Sequence, residues 1–545
     1  MRAMPQEPAG EGRDPVIGLA AAARRLTRPL ALIAAAAAAL LVARYAAVLD
    51  LPLSFYVILL AVAAGVGLAG RWISSPTVKF LPWLFALALA LRLLSSLTFE
   101  ISGRPYGDDF SASPDGWKYH VWGRYAGEAL LEGTDAHLSR FDRVGSWEVG
   151  FYYILGSWYL ATGPDPSLGR LLVCIFAALA VLAFHRLARE LVAPDLADLA
   201  AFAYALWPSS IVWSGYSILR DSLVWLLLML AVALGIRTLR GSWKAVVPLV
   251  AVGFLLRFVR AYAWFFAGLG LFGFVGAAAL LPRYRKEWRS HARGVSVTAA
   301  VFLAVELFVY MAGFPGPIAR LQAYDLGRFV LKAVPTAQPP KEFVARDVSL
   351  PKTAPSPAAW APPPPAAVPE EEEPLHLQPA AGIAGNVVRF VLGPFPWTFD
   401  VPGLSYWLLP PVFFWYAILP LIGIGFVLAV REPLSVRALL AVVLAATLVL
   451  VLMGRGDAYR HREMLMPGYI LAALVGLRHA LQRRRLLAVV YGAFILLAGI
   501  GMVYHRGTLR DRGLISSLEA SRVRATLPTH NAPSPDRSAT ARRPS

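Results

Sequence analysis

The stretch LGRLLVCIFAALAVLAFHRLAREL, residues 168–191, is an apolar run closed by a short basic cluster, Arg186 and Arg189. A half-buried strand alternates apolar and polar residues; this run does not, which excludes a membrane barrel and predicts a helix. At about 20 residues, the span 167–186 crosses a hydrocarbon layer roughly 30 Å thick. Similar runs lie near 29–49, 51–70, 80–98, 196–214, 218–237, 245–258, 262–281, 294–313, 405–430, 434–453, 464–481 and 485–504. Together they predict an all-α polytopic membrane protein of about thirteen transmembrane helices. Composition agrees: 57% of the 545 residues are hydrophobic and 16% charged, with a mean hydropathy of +0.56. The first run is too long for a signal-peptide core and is followed by further spans, so it reads as uncleaved.

The net charge of +18 does not point to nucleic acid, because the basic residues sit in short clusters between spans rather than on one soluble face. These clusters are Arg24, Arg25 and Arg28; Arg71 and Lys79; Arg186 and Arg189; Arg237, Arg240 and Lys244; PRYRKEWRSHAR (282–293); Arg431 and Arg437; and RHALQRRR (478–485). Alternate connections therefore carry the positive charge, which assigns them and the N-terminus to the cytoplasm. The loops 99–147, 213–221, 314–404 and 454–463 then face outward. Cys174, the only cysteine, lies inside an apolar run, so disulfides and cysteine-ligated metal clusters are excluded.

The predicted organisation is a basic cytoplasmic N-terminus over 1–28 and a transmembrane core over 29–333, with its large outer loop at 99–147. A proline-rich, acidic outer segment follows at 334–384, then C-terminal helices over 385–504 and a flexible tail over 505–545. The segment 334–384 contains APPPPAAVPEEEEP and lacks the apolar content to build a core. Residues 148–163, EVGFYYILGSWYLATG, are apolar but short. Counting them as a span would move Arg186 and Arg189 outward, so they read as an interfacial or half-inserted helix.

The outer loop 99–147 holds GDDFSASPDGWKYH (107–120), with Asp108, Asp109 and Asp115 close together. Asp115 and Tyr119 lie one helical turn apart, and Trp117, Trp122 and Tyr125 suit the headgroup zone. A carboxylate held at that surface is partly desolvated, which favours proton abstraction from a hydroxyl. Ser-Pro-Asp before a helix is equally a capping signature, and the two roles are compatible for Asp115. Asp108 and Asp109 read as a solvated turn or as contacts for a divalent cation.

A second cluster, GRGDAYRHREMLMP (454–467), places Arg455, Arg460, His461 and Arg462 on an outward loop, against the positive-inside trend. Arginine forks suit phosphate oxygens, as in a lipid phosphate; headgroup anchoring, or pairing with Asp457 and Glu463, is the plainer alternative. Arg92, Arg220 beside Asp221, and Arg257 with Arg260 are further basic groups in or near spans. Such groups face a protein interior or an aqueous cavity. Snorkelling competes for Arg92 and Arg257, and pairing with Asp221 competes for Arg220.

On LALRLL (89–94, part of the third span), PDGWKYHVWGRYAGEALLEG, EVGFYYILGSWYLATG, LGRLLVCIFAALAVLAFHRLAREL, ALWPSSIVWSGYSILRDSLVWLLLMLAVAL and GRGDAYRHREMLMPGYILAALVGL, the chain resembles the GT-C superfamily of integral-membrane glycosyltransferases. That superfamily includes the dolichyl-phosphate-mannose protein mannosyltransferases and bacterial lipid A aminoarabinose transferases. The likeness spans most of residues 80–480, and two additional spans precede it. It implies a catalytic acid in the first large outer loop and a sugar donor carried on polyprenyl phosphate. Asp115 matches that acid by position, with Asp108 and Asp109 as the alternative pair.

The resemblance further implies an inverting transfer to an acceptor hydroxyl of a protein, lipid or glycan, at the outer face of a bacterial inner membrane. Tyr119, Arg220, Arg257, Arg260, Arg455, Arg460, His461 and Arg462 become substrate-binding candidates. No metal site is assigned, a divalent cation is the one cofactor considered, and membrane lipids are the other partners. A polysaccharide polymerase or ligase, or a transporter or flippase of lipid-linked saccharides, are the competing readings.

Overall fold

The computed structural model describes residues 15–72, 76–103, 114–133, 149–261, 285–311, 404–429, 462–483 and 488–496. It also describes scattered positions at 263–264, 267–268, 271, 432, 436, 439–440, 443–444, 446–447 and 485. The predicted segments 334–384 and 505–545 lie outside the described residues. The chain divides into two compact units, Met1–Arg483 and Arg484–Ser545. In the second, residues 488–496 are helical.

In the first unit the helices are α1 (Pro15–Leu49), α2 (Leu53–Trp72), α3 (Pro76–Gly103), α4 (Pro114–Glu132), α5 (Gly150–Thr162) and α6 (Pro166–Leu191). They continue as α7 (Pro194–Ala205), α8 (Pro208–Tyr216), α9 (Asp221–Leu239), α10 (Val246–Val259), α11 (Arg285–Met311), α12 (Leu404–Leu428) and α13 (Met466–Gln482). No strand occurs among the described residues. Six of these helices are long and apolar enough to cross a membrane, or seven if the bent pair α7–α8 forms one span. The protein is an all-helical, multi-pass membrane protein.

Residues 168–191 lie in α6, a single helix of 26 residues. It starts where Asp165 accepts a hydrogen bond from the Ser167 amide at 2.7 Å, with Pro166 in the first turn. The predicted interfacial segment is α5, 13 residues long. At about 20 Å it is shorter than a hydrocarbon layer.

Two elements depart from expectation. Helix α1 begins at Pro15, inside the segment read as a basic N-terminus, because its arginines have partners that hold the turn. Arg24 donates to Asp198 at 2.7 Å and Asp195 at 2.8 Å, and Arg28 lies 5.1 Å from the Trp83 ring centre. The predicted span 196–214 is bent by 46° between α7 and α8. Trp207 precedes Pro208, whose ring disfavours helical backbone at that position; Trp207 adopts φ −65°, ψ 110° instead.

The bend frees backbone carbonyls, and Arg92 of α3 fills the gap. Its Nη1 donates to the carbonyls of Ala88 at 2.9 Å and Ala205 at 3.4 Å, and its Nη2 to Ser210 Oγ at 2.6 Å. A cation at the C-terminal end of α7 also opposes that helix's dipole. The neighbouring Ser209 donates to Glu463 at 2.5 Å, which sets a carboxylate at the N-terminal end of α8. Arg92 is fully buried and Arg257 nearly so, which overturns the snorkelling alternative for both.

These polar contacts sort the helices by end. At one end sit the Arg24 contacts, His185 with Asp198 at 2.8 Å, and Glu190 with Arg237 and Arg240. At the other sit Glu100 with Arg170, Arg92 with Ser210, Ser209 with Glu463, and Arg257 with Glu306. Helices α6 and α9 therefore run one way, and α3 and α10 the other. The clusters Arg186/Arg189 and Arg237/Arg240 share the first end, and the segments predicted to face outward join at the second.

Candidate functional site

The site is built on α4. Pro114 opens the helix, so Asp115 is its second residue and not its cap. Proline needs no amide partner at the first helical position, which is why it takes that place, and an acidic residue in the first turn complements the helix dipole. The expectation that Asp115 itself caps the helix is thereby corrected. Asp108 and Asp109 lie outside the described residues.

Two close contacts fix α4. A Cβ on Gly116 would fall 1.8 Å from Ser217 Oγ, so the first turn rests on the segment between α8 and α9, with no room for a side chain. Further along, a Cβ on Gly156 of α5 would fall 2.6 Å from the Gly127 amide nitrogen and 2.7 Å from the Gly123 carbonyl. Here α4 and α5 touch backbone to backbone. In lipid, where apolar burial gives little net drive, such close packing is what holds helices together.

Tyr119, one turn after Asp115, is buried against Phe151 and Tyr152, with ring centres 5.2 and 5.6 Å away. The Arg220 guanidinium lies 5.7 Å from the Tyr119 ring centre, within cation–π range. Its Nη1 donates to the Val259 carbonyl at 3.5 Å. The next residue, Arg260, ends α10, where its amide donates to Leu256 O at 2.7 Å. One turn back, Arg257 Nε donates to both Glu306 oxygens, at 3.2 and 3.5 Å. The structure thus gathers Tyr119, Arg220, Arg257 and Arg260 at one end of the bundle, beside the first turn of α4.

Of the late basic loop 454–463, the described residues are Arg462 and Glu463. Arg462 is buried, with its guanidinium 4.0 Å from the Trp415 ring centre, next to the buried Glu463. Arg455, Arg460 and His461 lie outside the described residues. Among the described residues, no group of three or more His, Cys, Asp or Glu side chains could hold a metal ion.

Several neighbours escaped the sequence reading. Glu100 and Arg170 form a buried ion pair between α3 and α6. His120 shares a hydrogen bond with Tyr159 through Nδ1 at 2.9 Å, tying α4 to α5 again. Burial pushes the His120 imidazole down to about 4, so it is neutral at neutral pH, and burial raises the Tyr159 phenol, which keeps its proton. Glu306 carries a sequence signal, a lone carboxylate in an apolar run. The His120–Tyr159 pair had none. No protein-family model matches the chain, and comparisons with curated proteins and with solved structures return no match.

Proposed function

We propose that the chain is a GT-C-like integral-membrane glycosyltransferase of about thirteen spans, working at the outer face of a bacterial inner membrane. It moves a sugar from a polyprenyl-phosphate carrier to an acceptor hydroxyl. The observation that carries this reading is the packing of Tyr119 against Arg220, with Gly116 seated on Ser217. Together these hold the first turn of α4, and the backbone of Asp115 with it, beside a cluster of arginines.

In this reading Asp115 takes the acceptor hydroxyl proton as that oxygen attacks the anomeric carbon. The bond from the anomeric carbon to the carrier phosphate oxygen breaks, and a single displacement inverts the centre. Arg220, Arg257 and Arg260, with Arg455, Arg460, His461 and Arg462 of the late loop, stabilise the charge on the departing phosphate in a low-dielectric setting. Asp108 and Asp109 position the acceptor or a divalent cation. The competing readings are a polysaccharide polymerase or ligase, and a transporter or flippase that uses Arg92 and Arg257 as pathway charges.

The test is to give purified protein a short-chain polyprenyl-phosphate sugar and, separately, a nucleotide sugar, each with hydroxyl acceptors. The proposal expects acceptor-dependent release of polyprenyl phosphate from the first alone. Turnover of the nucleotide sugar, or protein-driven transbilayer movement of the lipid-linked sugar without transfer, contradicts it.

A further inference from the structure

At the end of the bundle opposite the candidate site, basic groups among the described residues outnumber their acidic partners. Glu190 receives Arg240 at 2.7 Å on its carboxylate and again at 2.7 Å on its backbone carbonyl, Arg237 at 3.0 Å and Arg186 at 4.0 Å. Three cations share one carboxylate, and their side chains stay 50% (Arg186), 40% (Arg237) and 37% (Arg240) exposed. The other described carboxylates nearby, Asp195 and Asp198, are engaged by Arg24 and His185. Lys244 and Arg293, both exposed, add charge of the same sign. Arg293 lies 5.2 Å from the ring centre of Trp243, which is itself 56% exposed.

From Trp243 an apolar stripe runs along α10 toward the bundle middle: Val247, Val250 and Phe254 are 77%, 37% and 36% exposed. Their spacing places them on one helix face. An amphipathic indole between a cationic patch and an exposed apolar stripe marks the headgroup level of a bilayer. Guanidinium and ammonium groups there match a phosphodiester oxygen cluster.

We propose that this patch binds one anionic diacyl phospholipid, its phosphate against Arg237, Lys244 and Arg293. Trp243 flanks the headgroup, and one acyl chain lies along Val247, Val250 and Phe254. The inference is independent of the proposed transferase activity. An apolar stripe alone would accept any lipid; the uncompensated charge beside it selects the anionic ones.

The test titrates the full chain in detergent with phosphatidylglycerol, phosphatidylcholine or glycerol phosphate, followed by native mass spectrometry and thermal unfolding. Phosphatidylglycerol should be retained and raise the unfolding temperature, whereas phosphatidylcholine and glycerol phosphate should do neither. Each charge removed should weaken phosphatidylglycerol binding about fivefold, so Lys244→Gln/Arg293→Gln together should weaken it roughly 25-fold. Equal retention of the two lipids, or wild-type affinity in the double variant, overturns the proposal. If that variant does not fold, salt decides on the wild type: binding must fall as ionic strength rises, and salt-independent binding overturns the proposal.

Discussion

Replacing Arg257 by methionine keeps most of the apolar stem that packs at the end of α10 but removes the cation facing Glu306. The contact is bifurcated, one Nε–H shared between the two carboxylate oxygens at 3.2 and 3.5 Å, with side-chain exposures of 3% for Arg257 and 19% for Glu306. Removing one member of a buried pair strands the other and costs about 3–5 kcal/mol. Because Glu306 retains some exposure, the lower end, ~3 kcal/mol, is expected for Arg257→Met. Removing both charges, as Arg257→Met/Glu306→Met, strands neither group and should restore stability to within about 1 kcal/mol of the parent. Reversible unfolding of the parent, both single variants and the double variant in one detergent gives the coupling directly. Additive losses, with coupling below about 0.5 kcal/mol, would refute the claim that the two side chains form a buried pair. The transferase proposal adds a second readout: the double variant folds but turns over donor poorly, because Arg257 is one of the arginines which that proposal assigns to the departing phosphate.

Three other outcomes follow from the packing. Gly156→Val should force α4 from α5, at a cost of ~1–3 kcal/mol, seen as faster tryptic cleavage at the exposed Arg124 before global unfolding. Arg92→Lys should destabilise by ~1–3 kcal/mol, because one ammonium does not span Ala88 O, Ala205 O and Ser210 Oγ; matching unfolding curves would count against the arginine's role in filling the α7–α8 break. Burial lowers the His120 imidazole from 6.5 to about 4, so the folded state favours the neutral ring. The stability this gives is complete above pH 6.5 and is lost as pH falls toward about 4, on the order of 3 kcal/mol in all. His120→Gln should flatten that part of the stability–pH profile, and an unchanged slope would show that another group is responsible.

What could be read from the sequence was what depends on long-range averages. A run such as 168–191 has one stable form in lipid, so α6 was legible, as were α9 and the shortness of α5. The spacing of Tyr119 after Asp115 was legible because helical periodicity is local. Partners were not. Nothing in residues 15–28 announces that Arg24 meets Asp195 and Asp198, so α1 was read as starting too late. The bend at Trp207–Pro208 had a local cue, but the groups that make it tolerable, Arg92 and Glu463, come from distant elements. Arg220 was read beside its sequence neighbour Asp221, whereas its contact with the Tyr119 ring depends on how α4 docks.

The most direct test of the central claim is the initial rate of polyprenyl-phosphate release by Asp115→Asn, at saturating donor and acceptor. Asparagine keeps the shape and loses the base, so the account predicts a fall of about 10²–10⁴-fold with the unfolding temperature unchanged. A rate within about twofold of the parent, in protein equally well folded, would contradict the assignment of Asp115 as the base.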